Sequence, residues 1–300
     1  MTLRQLSNHG RFSYRPITQR PDYNWPDGNR LAVYIGFNIE HFEFGRGLGA
    51  KLAPSHEPDV LNYAWREYGN RVGVWRCLDL FDALEIPIAA LINTSLYDDH
   101  AQIIEALRAR GDEFVGHGHT NAEHQCTFNP EQERALLADC AQRIAVAEGV
   151  APRGWLSPWI AETVATPDLL VETGYKYTLN WCHDDQPLPM QTRSGPLWSI
   201  PYPQELNDIP MIAVRQLDIA AFAQMIENQF DEMLRQSAQQ PLVMGIALHP
   251  YLVGQPYRLK CLREALTRIR ARGQAWWTTP GAIYDHVQTI DAVRELADRP

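Results

Sequence analysis

Residues 30–39 read RLAVYIGFNI, a short and mostly apolar run that is rich in β-branched and aromatic side chains. A run of this length and composition predicts a buried strand. Two further runs of the same kind occur at 86–93 (IPIAALIN) and at 242–248 (LVMGIAL). Buried strands that alternate with helices are typical of parallel sheets. The sequence therefore predicts an α/β protein if helices separate these runs.

Helical patterns do alternate with the strands. From Val74 the apolar residues fall on one helical face, and Asn129-Pro130 and Gly149 mark the two ends of another helix. The other elements are predicted as helices at 98–110, 166–174, 218–235 and 258–272 and as strands at 113–117, 154–158, 177–181, 211–214 and 275–279. About seven strand–helix units without a linker predict a single (β/α) barrel, distorted and with about seven strands, rather than two domains.

The predicted domain organisation is a single catalytic domain over residues 1–300. Residues 1–29 are polar and rich in proline, which predicts an extended leader on the surface, and the barrel is expected from about residue 30 to 285. Residues 41–70 show no good periodicity and contain several glycines and prolines. A loop of this length inside a compact domain is usually functional or a lid.

Charge and composition exclude several classes of function. The chain has 27 basic and 36 acidic residues, a formal net charge of −9, whereas nucleic-acid binding needs clustered basic residues. No apolar run has the length of a signal peptide or of a membrane-spanning helix, and the five cysteines show no CxxC spacing. We therefore expect a cytoplasmic protein that binds neither nucleic acid nor a membrane. No glycine-rich phosphate or dinucleotide motif is present, so no nucleotide cofactor is expected.

Polar side chains follow several predicted strands at their carboxyl ends. Asn38 and Glu40 come at the end of the first strand, His117 ends the strand at 113–117, and His249 follows the strand at 242–248. In βα barrels the catalytic groups lie at these ends, because the strand-to-helix loops build the site there. The sequence therefore predicts these four residues as catalytic.

A second group of residues is predicted to bind a small polar substrate. The guanidinium of Arg71 could hold a carboxylate or a carbonyl group, and the amide of Asn121 could donate to an oxyanion. Trp155 and Trp181 are expected to wall the pocket, and Asp185 follows a strand at the same rim. These five residues complete the predicted site.

A divalent metal such as zinc is an open alternative. Glu40 and His117 are suitable ligands, but a metal site needs three or four ligands on converging elements. One turn past His117 stands Asn121, a poor zinc ligand, and His119 or His124 could take its place. The residues alone leave metal binding undecided.

Four of these segments together resemble the motifs of the polysaccharide deacetylase (NodB-homology) family. FNIEHF (37–42) resembles the first motif, HGHTN (117–121) the His-x-x-x-His motif, RGWLSP (153–158) the third motif, and ALHPYLVGQPYR (247–258) the closing Leu-His motif. YGNRVGVWR (68–76) and CHDDQP (182–187) make the chain more similar to the allantoinase-like branch of that family. The combination is specific, whereas each segment alone would be weak.

The resemblance implies the distorted barrel of this family and a hydrolase of carbon–nitrogen bonds other than peptide bonds. It also implies that Asn38 stands where the family has its catalytic aspartate and Glu40 where it has a metal-binding aspartate. Of the two metal-binding histidines, His117 is present and Asn121 replaces the other. A similar loss of ligands is a feature of the allantoinase-like branch, which the resemblance implies to work without a tightly held metal.

The leading hypothesis is hydrolysis of a small cyclic amide, imide or ureide. Glu40 would activate water, His117 would orient it, His249 would protonate the leaving nitrogen, and Asn38 and Asn121 would stabilise the oxyanion. One alternative is a metal-dependent N-deacetylase of an acetylated sugar or amine. Another is a barrel that binds a small ligand without catalysis. We expect the protein to form a homo-oligomer.

Overall fold

The fold is that of a computed structural model, which describes residues 7–45 and 56–297. Its strands are β1 (Leu31–Ile39), β2 (Ile88–Ile92), β3 (Glu113–Gly116), β4 (Gly154–Trp155), β5 (Tyr177–Thr178), β6 (Leu188–Thr192), β7 (Gly195–Ser199), β8 (Leu242–Leu248) and β9 (Ala275–Trp277). Its helices are α1 (Val60–Tyr68), α2 (Val74–Ala83), α3 (Leu96–Asp99), α4 (Ala101–Arg110), α5 (Pro130–Glu148), α6 (Thr166–Glu172), α7 (Ile219–Gln236), α8 (Pro250–Val253), α9 (Pro256–Arg272), α10 (Pro280–Gln288) and α11 (Asp291–Arg294).

One curled sheet runs through the described residues in the order β6-β7-β5-β4-β3-β2-β1-β8, and β9 also pairs with β1. Only the pairing of β6 with β7 is antiparallel; the others in this sheet are parallel. Parallel neighbours need crossover connections, which the helices between the strands supply. The predicted α/β class and the distorted (β/α) barrel are confirmed.

The alternation of side chains along β1 separates two layers of the core. The odd-numbered residues from Leu31 to Ile39 pack with residues of the surrounding helices, whereas Ala32 and Tyr34 belong to the cluster inside the curled sheet. Because successive residues of a strand point to opposite faces, Asn38 and Glu40 continue the inner series. The pleat of β1 thus turns both residues towards the interior of the sheet.

The same alternation places two histidines inside. Val243 and Ala247 of β8 belong to the inner cluster, and His249 continues this series beyond the strand. Val115 of β3 belongs to the inner cluster as well, and His117 follows it by two residues. Strands β1, β3 and β8 therefore direct their polar end residues into one space.

Two predicted elements are wrong in the described residues. The strand predicted at 211–214 is part of a π-helical turn, Ile209–Val214, because a short apolar run fits a buried helical turn as well as a strand. The loop predicted at 41–70 contains α1, capped by Asp59; its residues 46–55 lie outside the described part of the chain. An apolar pattern could not reveal α1, because its buried residues include the polar Asn62 and Arg66 whereas the apolar Val60 and Leu61 are exposed.

The hairpin of β6 and β7 was not predicted, because Pro189 and Pro196 stand within its strands. Proline cannot donate to a sheet and is confined to edge strands and strand starts, so its presence weakens a strand pattern. Both prolines satisfy this constraint, because β6 is the edge strand and Pro196 stands at the start of β7, before the residues that pair with β5.

The described part of the leader, residues 7–29, is held on the barrel by buried and charged contacts. Trp25 is 1% exposed and donates its Nε1 to the carbonyl of Leu242 at 3.0 Å. Arg11 binds both carboxylate oxygens of Asp168 at 2.9 Å. Within residues 7–45 and 56–297, none of the helices combines the length and the apolar character that a membrane crossing requires.

Candidate active site

Three titratable side chains meet inside the curled sheet. Oε1 of Glu40 lies 3.6 Å from Nε2 of His117 and 3.5 Å from Nε2 of His249. All three residues are buried, with Glu40 at 8%, His117 at 2% and His249 at 3% exposure. A carboxylate between two imidazoles, shielded from water, is an arrangement that can move protons.

The orientation of each imidazole is set by a contact on its other nitrogen. Nδ1 of His249 lies 2.6 Å from Oδ1 of Asp208, whose Oδ2 accepts the backbone N–H of His249 at 2.7 Å. Nδ1 of His117 lies 2.7 Å from the carbonyl oxygen of Leu156. A carbonyl can only accept, so Nδ1 of His117 carries a proton and its Nε2 is the atom directed at Glu40.

The charges of the site follow from this geometry. Burial alone would lower the pKa of His249, but the nearby carboxylates of Asp208 and Glu40 raise it to about 10. Burial alone would raise the pKa of Glu40, but His249 and His117 lower it to about 2. Burial raises the pKa of Asp208 against the opposing effect of His249. At neutral pH the site therefore holds an ionised Glu40 beside a protonated His249.

Glu40, His117 and His249 line a cavity of about 160 Å³. Its less polar wall is formed by Leu156, Trp159, Ile160, Tyr202, Ile209 and Pro210. Trp159 and Ile160 have φ angles of 64° and 54°, in the left-handed region that residues with a side chain rarely adopt. Strained backbone of this kind is concentrated at binding sites, where the surrounding structure enforces it.

Asn38 lines the cavity, but its amide is already engaged. Its Nδ2 donates to the hydroxyl of Tyr202 at 3.0 Å and to the carbonyl of Leu248 at 3.3 Å. Gly36, two residues earlier on β1, makes room for the Tyr202 ring, since a Cβ there would lie 3.1 Å from it. Asn38 therefore holds the wall residue Tyr202 in place, and both of its amide hydrogens are used within the protein.

Asn121 is completely buried and keeps a free donor. Its Oδ1 accepts from Nδ2 of Asn93 at 2.9 Å, while its own Nδ2 has no hydrogen-bond partner among the described residues. Nε2 of His117 is likewise buried without a hydrogen-bond partner there. Buried polar atoms without partners are rare in proteins and point to a ligand or an ordered water.

Asn121 is not among the residues that line this cavity, and the structure does not bring the other predicted binding residues to it either. Arg71 has a 74% exposed side chain and pairs with Glu67 of α1. Trp155 is fully buried, and its Nε1 donates to Ser157 behind the cavity wall, so its ring has no surface left for a ligand. Trp181 donates to Glu162 and is absent from the cavity lining.

Asp185 lines a different and larger cavity, of about 720 Å³, between the leader and β8. That cavity contains neither Glu40 nor either of the two histidines that contact it, and it shares Tyr202 and Gln204 with the smaller one. The buried Glu40 with its two imidazole neighbours lines the smaller cavity, which is therefore the candidate active site.

Sequence reasoning missed Asp208, Asn93 and the wall residues Trp159 and Tyr202. Asp208 precedes His249 by 41 positions and stands in a segment without regular pattern, so nothing local connects the two. Trp159 directly follows the RGWLSP segment, and its proximity to that motif was the one available signal.

The donor set does not fit the metal centre that the family resemblance implies. Glu40 and His117 could serve as two ligands, but Asn121, at the position of the family's second metal-binding histidine, presents an N–H donor on its free side. Among the described residues no group of three or more histidine, cysteine, aspartate or glutamate side chains could hold a metal ion.

Comparison with known proteins gives a consistent set of relatives. A protein named as a polysaccharide deacetylase in Schizosaccharomyces pombe is 25% identical, covering 88% of this chain and 91% of that protein. A peptidoglycan deacetylase of Helicobacter pylori is 23% identical, covering 73% of this chain and 84% of that protein. The crystal structure of PuuE allantoinase is similar with a TM-score of 0.83 and 25% identity, over 97% of this chain and 99% of that one. No family model matches the chain.

The resemblance to polysaccharide deacetylases, with an allantoinase-like character, is confirmed by these relatives. The relatives are hydrolases that act on carbon–nitrogen bonds other than peptide bonds, and the predicted enzyme class is confirmed at that level. Both deacetylases and an allantoinase are among these relatives, so the relatives do not single out one substrate.

Proposed function

We propose that this protein hydrolyses a carbon–nitrogen bond of a small cyclic amide, imide or ureide. The observation that carries the proposal is the buried Glu40 carboxylate, 3.5 and 3.6 Å from two imidazole nitrogens, on the wall of a cavity of about 160 Å³. A cavity of this volume accommodates one small ring, since sites for drug-sized ligands are about 300 Å³ or larger.

In the proposed reaction Glu40 takes a proton from a water molecule, whose oxygen then bonds to the substrate carbonyl carbon. Nε2 of His117, buried and without a hydrogen-bond partner among the described residues, would contact this water and so orient it. Negative charge develops on the carbonyl oxygen, and we propose as its donor the N–H of Asn121, which has no partner among the described residues and is not itself part of the cavity lining. The carbon–nitrogen bond breaks as His249 gives its Nε2 proton to the leaving nitrogen.

Each turnover leaves Glu40 protonated and His249 neutral. The 3.5 Å separation of Oε1 and Nε2 allows the proton to pass from Glu40 to His249, which restores both groups. Asp208 supports this return, because its charge at Nδ1 favours the protonated imidazole. The products are a carboxylic acid and, on the opened ring, the released nitrogen as an amine, an amide or a ureido group.

The relatives named as deacetylases favour a second candidate, the removal of an acetyl group from a sugar or amine by a metal-dependent enzyme. That reaction would need a metal and a groove open to a polymer. The donor set around Glu40 and the small cavity support ring hydrolysis over this alternative. A third hypothesis, ligand binding without catalysis, predicts no turnover of any of these substrates.

The proposal is tested with Glu40→Gln, which keeps the size of the side chain but removes the base. We expect turnover of the preferred ring to fall by about 10²-fold or more, because general-base catalysis contributes that much. Glu105→Gln, on an exposed face of α4, is the matched control and is expected to keep full activity. Ring opening is followed by chromatography of the products; a folded Glu40→Gln variant with full turnover would contradict the proposal.

A further inference from the structure

Asn93 directly follows β2 and is completely buried. Its Oδ1 accepts the backbone N–H of His41 at 2.7 Å. A backbone nitrogen can only donate, so this contact determines which end of the Asn93 amide carries the oxygen. The Nδ2 of Asn93 then donates to the carbonyl of His117 and to Oδ1 of Asn121.

The orientation of the Asn93 amide determines the orientation of the Asn121 amide. Because Oδ1 of Asn121 receives a hydrogen from Asn93, its Nδ2 is the atom left over, buried and without a partner among residues 7–45 and 56–297. One backbone N–H, that of His41, thus determines that residue 121 presents a donor rather than an acceptor. A donor of this kind suits an oxygen atom and repels a cation.

We propose that Asn93 is a positioning residue that holds residue 121 as a hydrogen-bond donor and thereby selects a carbonyl or oxyanion oxygen over a divalent cation. The assignment of that oxygen to a substrate rests on the proposed function. The exclusion of a cation does not, because it depends only on the hydrogen-bond polarity of Asn93 and Asn121.

The variant Asn121→His tests the role of Asn93. Nδ1 of histidine and Oδ1 of asparagine occupy equivalent places in their side chains, so the new imidazole would accept from Nδ2 of Asn93. Its proton would then sit on Nε2, where a metal would have to bind, and zinc needs an unprotonated nitrogen. A carboxylate at position 93 would reverse this, since it accepts from Nδ1 and frees Nε2, as in carboxylate–histidine–zinc sites.

The test is the zinc affinity of the purified full-length variants, measured by competition with a chromophoric chelator. We expect Asn121→His to bind zinc no better than the unaltered protein. The double variant Asn93→Asp with Asn121→His should bind at least about tenfold more tightly, the usual size of a second-shell effect on a metal ligand. Asn121→His combined with Asn228→Asp, an exposed site on α7, controls for the added negative charge.

A second comparison avoids any change at position 93. In Asn121→Asp one carboxylate oxygen accepts from Asn93 and the other faces away, so this variant should bind zinc at least about tenfold more tightly than Asn121→His. Histidine would be the better zinc ligand without the influence of Asn93. Zinc binding by Asn121→His that equals the double variant or exceeds Asn121→Asp would overturn the proposal, whatever the turnover of these proteins.

Discussion

Single contacts at Nδ1 distinguish the two imidazole rings of the candidate active site. Asp208 contacts Nδ1 of His249, and the Leu156 carbonyl contacts Nδ1 of His117, so two chemically identical rings have different roles. In the proposed reaction His249, whose pKa is raised, acts as the acid, whereas Nε2 of His117 faces Glu40 and orients the water. The two imidazoles differ because the partner at Nδ1 is a carboxylate for His249 and a backbone carbonyl for His117.

The first residue-scale prediction concerns the pH profile. His249 must be protonated to act as the acid, and its pKa is raised to about 10, so activity should persist at alkaline pH and fall as His249 loses its proton. Asp208→Asn removes the negative charge at Nδ1, which lowers the pKa of His249 and shifts the alkaline limb to lower pH. The limb is measured as kcat/KM against pH for both proteins.

Asp139→Asn, which removes an exposed carboxylate from α5, is the control and should leave the alkaline limb in place. Glu40 must be ionised, and its pKa is lowered to about 2, so Glu40 produces no loss of activity between neutral pH and about pH 4. An alkaline limb that does not move in Asp208→Asn would show that His249 is not the acid.

Individual site residues were predictable only where a strand pattern pointed to them. Glu40, His117 and His249 each follow an apolar run, and they meet in the structure. Asp208 and Asn93 act through partners that are 41 and 52 positions away in the chain, which no local pattern reveals. Arg71 looked suitable by chemical type alone, yet its position on the exposed side of a π-helical turn directs it to Glu67.

At the scale of elements, the helix that follows β8 is placed by a close backbone contact. Gly73 ends the π-helical turn Gly69–Gly73, and a Cβ there would lie 2.1 Å from the carbonyl oxygen of Pro250. Pro250 is the first residue of α8 and directly follows His249. The packing of this turn on α8 therefore helps to determine where the His249 ring lies.

This contact predicts that Gly73→Ala impairs catalysis as well as stability. The added methyl group must push α8 outward, at a cost of about 2 kcal/mol as for other overpacked sites, and it moves His249 away from Glu40. We expect kcat to fall more than about tenfold, since misplacement by 1 Å can cost that much. Unfolding in urea and steady-state kinetics measure the two effects.

Val72→Ala, in the same turn, adds no atoms and serves as the control, with kcat close to that of the unaltered protein. A Gly73→Ala variant with normal kcat would mean that the turn does not position His249.

The elements themselves were predictable where their pattern was strong, as for α5 with its Asn129 cap and Gly149 end. Those with buried polar residues or internal prolines, α1 and the β6–β7 hairpin, were not.

At the scale of the whole molecule, two cavities of the described residues differ in character. The larger one, of about 720 Å³, lies between the leader and β8, and the smaller one, of about 160 Å³, is lined by Glu40, His117 and His249. The fold class could be predicted because alternating strands and helices allow few architectures. The size of the active-site cavity could not, since it depends on Trp159, Tyr202 and the turn at 209–214, which meet only in the folded chain.

From the volume of the smaller cavity we infer that the substrate is a small ring and not a polymer. The most direct test compares kcat/KM for allantoin, succinimide and a dihydropyrimidine with that for N-acetylglucosamine oligomers, each with and without a chelator. We predict hydrolysis of at least one ring, unchanged by the chelator, and no release of acetate from the oligomers. Acetate release from the oligomers that the chelator abolishes, with every ring left intact, would contradict the account.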